Sequence, residues 1–420
     1  MKHSSLRALI AIVFAACVAI VGRTASAAPL DFTLTPTNVA LASPAASPAP
    51  KKAATPAPSP TPTPAPPPKL VQLSGQADIG YAATGHNTVL SGRVFDGPPA
   101  APLGPSSFGG TLGFVQNAPD VQDIYIGSTW AMGPIGGELD VAAGTDPNTF
   151  QPYPENLTTS GAYYSIVQAY LTYTYKSLTL TAGKFDTLAG AEYIKSSQDW
   201  EYSKSYLNGF AIPFTHTGVR LTFAPSSKIN YIVGENLGWD TINIQSTHGT
   251  TTEVGLILNP SPAINWTISG YEGKAGTGLG TFTPRRLIDT VLIGHVTPAL
   301  TLQGNYDYGS QTAGNGVVFG ATGASVARWQ GGAGYANYQV TPKWSVTGRY
   351  EAFRDTGGFR TGFDQELFEK TATLQYDPSA PLILRVEYRW DHSSLPVFAQ
   401  TDGTGLASQR NLGIEAIAKF

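Results

Sequence analysis

The chain has 420 residues, of which only 26 are Lys or Arg and 29 Asp or Glu, about half the charged share of an ordinary soluble domain. Glycine (46) and the aromatics (7 Trp, 20 Tyr, 18 Phe) are abundant, which excludes a collagen, a coiled coil and a simple disordered chain. With no basic block and a pI of about 6.1, nucleic-acid binding has no electrostatic footprint.

Residues 1–27 carry Lys2 and Arg7, an apolar run over 8–22, and then Ala25, Ser26 and Ala27. This is the pattern of a secretory signal peptide, too short in its apolar run to span a bilayer, so the exported chain is expected to begin near Ala28. Cys17, the one cysteine, lies inside that run, leaving the exported protein with neither disulfides nor thiol chemistry. Cleavage removes Lys2, Arg7 and Arg23 and no acid, so 23 cations remain against 29 anions. Residues 28–70 follow, with twelve prolines between Pro36 and Pro68. Such a segment builds no core and favours extended polyproline II. It reads either as a periplasmic stalk that meets peptidoglycan or a periplasmic protein, or as a disordered tail without a partner.

From residue 71 to 420 the composition changes, and 43 of the 45 aromatics and 45 of the 46 glycines lie there. Two-faced strands of about ten residues are legible along it. Leu300, Leu302, Tyr306 and Tyr308 alternate with Thr301, Gln303, Asn305 and Asp307, and Trp344, Val346 and Tyr350 with Ser345, Thr347, Arg349 and Glu351. The pattern recurs over 371–377, over 382–391 (Leu384, Val386 and Tyr388 against Arg385, Glu387, Arg389 and Asp391) and over 411–420. A soluble sandwich alternates in the same way, so periodicity does not select a membrane. Connection length does. Tight turns are expected at 132–134, 175–177, 224–227, 260–262, 297–298, 341–342 and 377–381, six of them containing proline. Eight longer connections lie between them, at 84–120, 145–161, 187–210, 238–250, 274–286, 310–325, 355–364 and 392–407. Strict alternation of long and short predicts an all-β fold, a transmembrane antiparallel β-barrel of about 16 strands with short periplasmic turns and long extracellular loops. Its partners are then outer-membrane lipids. Trp130, Tyr173, Tyr175, Trp344, Tyr376 and Trp390 are expected in the interfacial girdles, and the terminal Phe420 as the residue that bacterial barrel-assembly machinery reads.

The middle of the body resembles the OmpL-like β-barrel porin family of outer-membrane proteins. The residues that carry the resemblance are Gly183-Lys184-Phe185, Gly190 with Glu192, Tyr202-Ser203-Lys204-Ser205, the run from Pro213 to Arg220, and Gly238-Trp239-Asp240. Strongest over 160–245, it implies a large diffusion pore in a Gram-negative outer membrane and carries over no catalytic or cofactor residue.

A barrel of 16 strands leaves an aqueous channel. The polar faces put Asp78, Asp123, Glu138, Asp140, Glu253, Asp289, Asp307, Glu351, Glu369, Glu387, Asp391 and Glu415 inward, against Arg220, Arg328, Arg349, Arg385, Arg389 and Lys419. Twelve acids against six bases predict mild cation selectivity, unless cross-strand pairing cancels them. In 16-stranded porins the third loop folds inward and narrows the channel. Here Glu192, Asp199 and Glu201 would line such a constriction opposite Arg349, Arg385 and Arg389; the alternative is an exposed surface loop. Catalysis finds no support, since Asp391, His392 and Ser393 are adjacent and cannot converge as a triad. The histidines lack metal-ligand spacing, and Gly273–Gly280 lacks the context of a phosphate loop, so no cofactor is expected. The sequence therefore predicts an outer-membrane porin passing small hydrophilic solutes and ions. A structural barrel with a closed lumen, tethered through its stalk, is the alternative.

Overall fold

The computed structural model describes residues 71–84, 119–147, 164–241, 249–276, 282–312, 325–399 and 404–420. The expected signal peptide, the stalk and most of the connections at 84–120 and 145–161 lie outside the described residues. The strands are β1 (Val71–Thr84), β2 (Pro119–Met132), β3 (Ile135–Ala143), β4 (Tyr164–Tyr175), β5 (Leu178–Asp186), β6 (Thr215–Ser226), β7 (Ile229–Asn236), β8 (Thr251–Ser261) and β9 (Ile264–Gly276). They continue with β10 (Phe282–His295), β11 (Leu300–Thr312), β12 (Val326–Thr341), β13 (Trp344–Thr356), β14 (Gln365–Ser379) and β15 (Leu382–Ser393). A short hairpin of β16 (Phe398–Ala399) and β17 (Gly405–Leu406) precedes β18 (Ser408–Lys419). Sixteen of these close one antiparallel barrel, each beside its chain neighbour, with β18 next to β15 and pairing with β1. Closure leaves no open edge, so every ladder group has a partner without water. The seam is completed by Gly75 and Phe420, which exchange backbone hydrogen bonds of 3.0 Å while the Phe420 ring stays 73% exposed.

Alternation along each strand sorts side chains in the reverse sense of a soluble sandwich. On β15, Val386 and Tyr388 are exposed whereas Arg385, Glu387 and Arg389 are buried. The apolar face is outermost because lipid, not water, covers it. Trp344 and Tyr376 stack at 4.3 Å near the short-turn ends of β13 and β14, as an interfacial girdle does. All seven tight turns overlap their expected ranges, those expected at 224–227, 260–262 and 341–342 lying one or more residues later at 227–228, 262–263 and 342–343; at the β2–β3 turn Gly133 takes φ +59°, which its missing Cβ permits. One long connection is shorter than expected. Instead of 274–286, the gap is 277–281, because cross-strand pairing from Arg286 with Glu272 to Phe282 with Gly276 carries the hairpin outward past glycines and Pro284.

Candidate functional site

The connection between β5 and β6, residues 187–214, crosses the barrel interior, with a 3-10 turn at Ser196–Gln198 and a π-helical turn at Leu207–Ala211. Charge fastens it to the wall formed by β13, β14, β15 and β18. The Arg349 guanidinium reaches Glu192 and Glu201 of the loop, each at 2.8 Å, and also Glu369 on β14. Arg385 pairs with Glu415 at 2.7 Å and donates to the carbonyls of Ser196, Asp199 and Glu201. Arg389 pairs with Asp391 at 2.8 Å and donates to the Lys204 carbonyl at 2.6 Å. A loop inside a barrel has backbone donors that no ladder satisfies. Wall carboxylates take them: Glu387 accepts from the N–H groups of Tyr202 (2.8 Å) and Ser203 (3.0 Å), and Glu351 from those of Tyr206 and Leu207, both 2.6 Å. Burial lifts the Glu201 carboxyl well above the usual range, against the pull of Arg349. It lifts Asp199 as well, opposed by its ion pair with Lys204.

Apolar packing holds the second half of the loop. Phe210 stacks on Phe353 at 6.1 Å, the Trp329 indole donates to the Ala211 carbonyl at 2.9 Å, and Tyr206, Leu207, Trp239 and Phe359 join the same buried cluster. Arg360 lies over the rings of Trp329 (5.4 Å) and Trp239 (5.5 Å) and donates to the Phe210 carbonyl. On β1, next to β18 in the same wall, Asp78 accepts from the Ser196 hydroxyl at 2.6 Å.

The root of the loop is tied to β6, β8 and β9. Tyr271 accepts the Leu188 N–H at 3.0 Å and donates to Glu253 at 3.2 Å, and Glu253 is gripped by both Nε and Nη2 of Arg220 at 2.8 and 2.7 Å. His216 stacks on Tyr271 at 4.9 Å with its Nδ1 donating to the Gly238 carbonyl at 3.0 Å. Asp240 accepts the N–H groups of Phe214 (2.8 Å) and Thr215 (2.7 Å), and burial raises its carboxyl to about 6.

The opposite wall stays accessible. Every inward side chain from Ser345 to Asp355 on β13 and from Ile383 to Ser393 on β15 is buried, whereas Glu138, Gln168, Tyr170, Thr172, Thr179 and Thr181 on β3, β4 and β5 are half-buried. Tyr170 donates to Glu138 at 2.5 Å, Tyr125 donates to Asp140 at 2.7 Å, and Lys195 of the loop faces them with its ammonium 4.1 Å from the Tyr125 ring centroid. Carboxylates, hydroxyls and one cation therefore border the space that the loop leaves open.

The family model described as "Putative beta-barrel porin-2, OmpL-like" matches residues 71–420. The chain belongs to this porin family. The motif residues converge on the root and body of the inward loop. Gly183 has φ +133°, and a Cβ there would come within 2.2 Å of the Ala169 carbonyl oxygen, so the strand requires glycine at that point. Lys184 donates to the Ile166 carbonyl at 2.6 Å, and Phe185 lies under the Arg220 guanidinium at 4.1 Å. No curated protein matches the sequence. Among solved structures, OmpT of Vibrio cholerae folded in vitro is 11% identical with a TM-score of 0.52, over 83% of this chain and 97% of its own. The outer-membrane channel DcaP of Acinetobacter baumannii is 14% identical with a TM-score of 0.54, over 83% and 97%. An anion-selective porin from Comamonas acidovorans is 10% identical with a TM-score of 0.52, over 83% and 99%. The likeness is one of fold, and with the family it places this porin-type barrel in the outer membrane.

Of the residues expected along the pore, Glu138 stands beside the opening, Asp140 is buried behind it and accepts from Tyr125 and Gln168, and Arg220 is paired with Glu253. Asp307 is buried next to Asp289, while Arg349, Glu351, Arg385, Glu387, Arg389 and Asp391 lie beneath the loop that carries Glu192, Asp199 and Glu201. Arg328 requires correction. It is exposed on the outer face, because Ala327 and Trp329 take the inward positions. Sequence reasoning also missed Arg285, buried and inward on β10 with its guanidinium 4.8 Å from the Trp239 ring, although its parity with Leu287 and Asp289 marks the inward face. His216, Tyr271 and Trp329 carried no signal of their roles. Asp391 and Ser393 point inward and are buried, while the His392 ring lies against Trp390 at 5.7 Å.

Proposed function

We propose that the protein is a passive diffusion channel for small hydrophilic solutes and ions, mildly selective for cations, with solutes passing between the inward loop and the wall of β3, β4 and β5. The observation that carries this reading is the asymmetry of the interior: the loop covers the charged wall of β13, β14, β15 and β18, and the accessible wall presents Glu138 and the hydroxyls of Tyr170, Thr172, Thr179 and Thr181. A carboxylate on the accessible wall favours cations through the local field. The chain is exported by cleavage after residue 27, residues 28–70 form the spacer, and Phe420 serves barrel assembly.

A structural barrel tethered through residues 28–70 to peptidoglycan or a periplasmic protein is the second reading. It draws on the apolar cluster within the lumen. The chain from residue 28 to 420, refolded and inserted in a planar bilayer under a KCl gradient, separates the two. A diffusion channel gives stepwise, long-lived openings with a reversal potential on the cation side. Insertion without conductance sinks the channel and leaves the tether.

A further inference from the structure

Where the outer wall carries a cation near a carboxylate, the two pair. Arg286 on β10 contacts Glu272 on β9 at 2.6 Å, and Arg354 on β13 contacts Asp364 and, at 3.9 Å, Glu366. Lys370 on β14 and Arg410 on β18 are exposed and, among the described residues, have no carboxylate within ion-pair distance. Register sets them in a single row. Cross-strand partners run from Tyr350 to Lys370, from Lys370 to Trp390 and from Trp390 to Arg410, over β13, β14, β15 and β18. With strands about 4.8 Å apart, the two cations stand about 10 Å from each other with an indole between them. The Lys370 ammonium is 5.2 Å from the Trp390 ring centroid and 5.9 Å from that of Tyr350.

Height on the barrel decides what faces this row. Lys370 is six residues along β14 from Tyr376, the girdle residue at the short-turn end. At about 3.3 Å per residue and a strand tilt of roughly 40°, that is about 15 Å up an apolar band about 25 Å tall. Lys370 thus emerges in the outer-leaflet half, from which its four-carbon stem extends toward the headgroups. Hydrocarbon offers a cation no counter-charge, whereas the headgroup layer offers phosphate.

We propose that Tyr350, Lys370, Trp390 and Arg410 form a binding site for the phosphorylated headgroup of an outer-leaflet glycolipid. The two cations take phosphate oxygens, and the amphipathic rings sit at the boundary between sugar and acyl chains. Charge complementarity commits the site to this occupant.

The test is native mass spectrometry of the lipid-free chain, residues 28–420, refolded in detergent and titrated with bisphosphorylated lipid A. The unaltered protein is expected to retain the lipid and to bind its dephosphorylated form at least tenfold more weakly. Lys370→Gln combined with Arg410→Gln is expected to weaken lipid A binding about tenfold, while Arg286→Gln on the same wall leaves it unchanged. Inorganic phosphate at matched concentration is not expected to displace the lipid. Equal binding of the dephosphorylated lipid, full binding by the double variant, or displacement by inorganic phosphate each overturns the assignment. If the double variant fails to refold, the comparison of the two lipids on the unaltered protein decides alone.

Discussion

Arg349 sits among three carboxylates, Glu192, Glu201 and Glu369, none of which reaches bulk water freely. Its removal leaves buried negative charge without a partner, and breaking a buried pair from one side typically costs about 3–5 kcal/mol. Arg349→Ala is therefore expected to lower the urea midpoint of the refolded barrel and to give larger, noisier single-channel currents as the loop loosens. Arg349→Lys keeps the charge but loses the fork that serves two directions, and should fall between the two. Glu138 and Glu387 look alike in the sequence but differ in place. Glu138 borders the accessible wall, so Glu138→Gln should move the reversal potential toward zero. Glu387 is covered by the loop whose N–H groups it accepts, so Glu387→Gln should leave selectivity intact and cost about 1–3 kcal/mol of loop anchoring. Equal shifts of reversal potential in both variants would place the passage elsewhere.

As an element, the inward loop is stable because its polar backbone is answered from several strands at once. Tyr271, Glu351, Glu387 and Arg385 supply partners to its start, middle and end, and the aromatic cluster around Phe210 and Trp329 seals the remainder. The same burial makes its acids, and Asp240 that caps its end, hold protons. Asp240, raised to about 6, and Glu201 and Asp199, raised by burial, all take up protons in the folded state that an unfolded chain releases. A raised carboxyl contributes stability that is full below the unfolded value near 4 and is lost as pH rises through the folded value. Resistance to urea should therefore increase between pH 6 and pH 4, with Asp240 supplying on the order of 2–3 kcal/mol. Asp240→Asn should flatten that slope in urea titrations at pH 7, 6, 5 and 4. A slope that survives the substitution would show that Asp240 is not its source.

At the scale of the whole molecule the protein is turned inside out, with polar side chains in a packed interior and apolar ones facing lipid. Val386, on the lipid side of β15 and 48% exposed, tests that sense directly. Val386→Lys, at a position two residues above the girdle level of Tyr376, should weaken folding into bilayers by about 1–2 kcal/mol, read as the shift in the denaturant midpoint of vesicle insertion. The low charged fraction of the chain follows from the same inversion, because lipid covers most of the surface that water would otherwise demand be charged. What charge remains is concentrated inside, where it positions the loop and borders the opening.

Strand number, turn positions and the sorting of long from short connections were legible in the sequence because each is local: a period of two along a strand, a proline at a turn, a run of glycines between strands. Which face carries Arg349, Glu351, Arg385 and Glu387 was legible for the same reason. Arg328 was misplaced where that period fades, in a strand whose glycines and alanines mark neither face. The course of residues 187–214 stood between two readings until the tertiary structure decided it. Their donors are met by Glu351 and Glu387, 144 and 184 residues away along the chain, and their root by Tyr271, 83 residues from Leu188. Contacts of that range leave no periodic trace in the sequence, because their energy exists only once the barrel has closed around the loop.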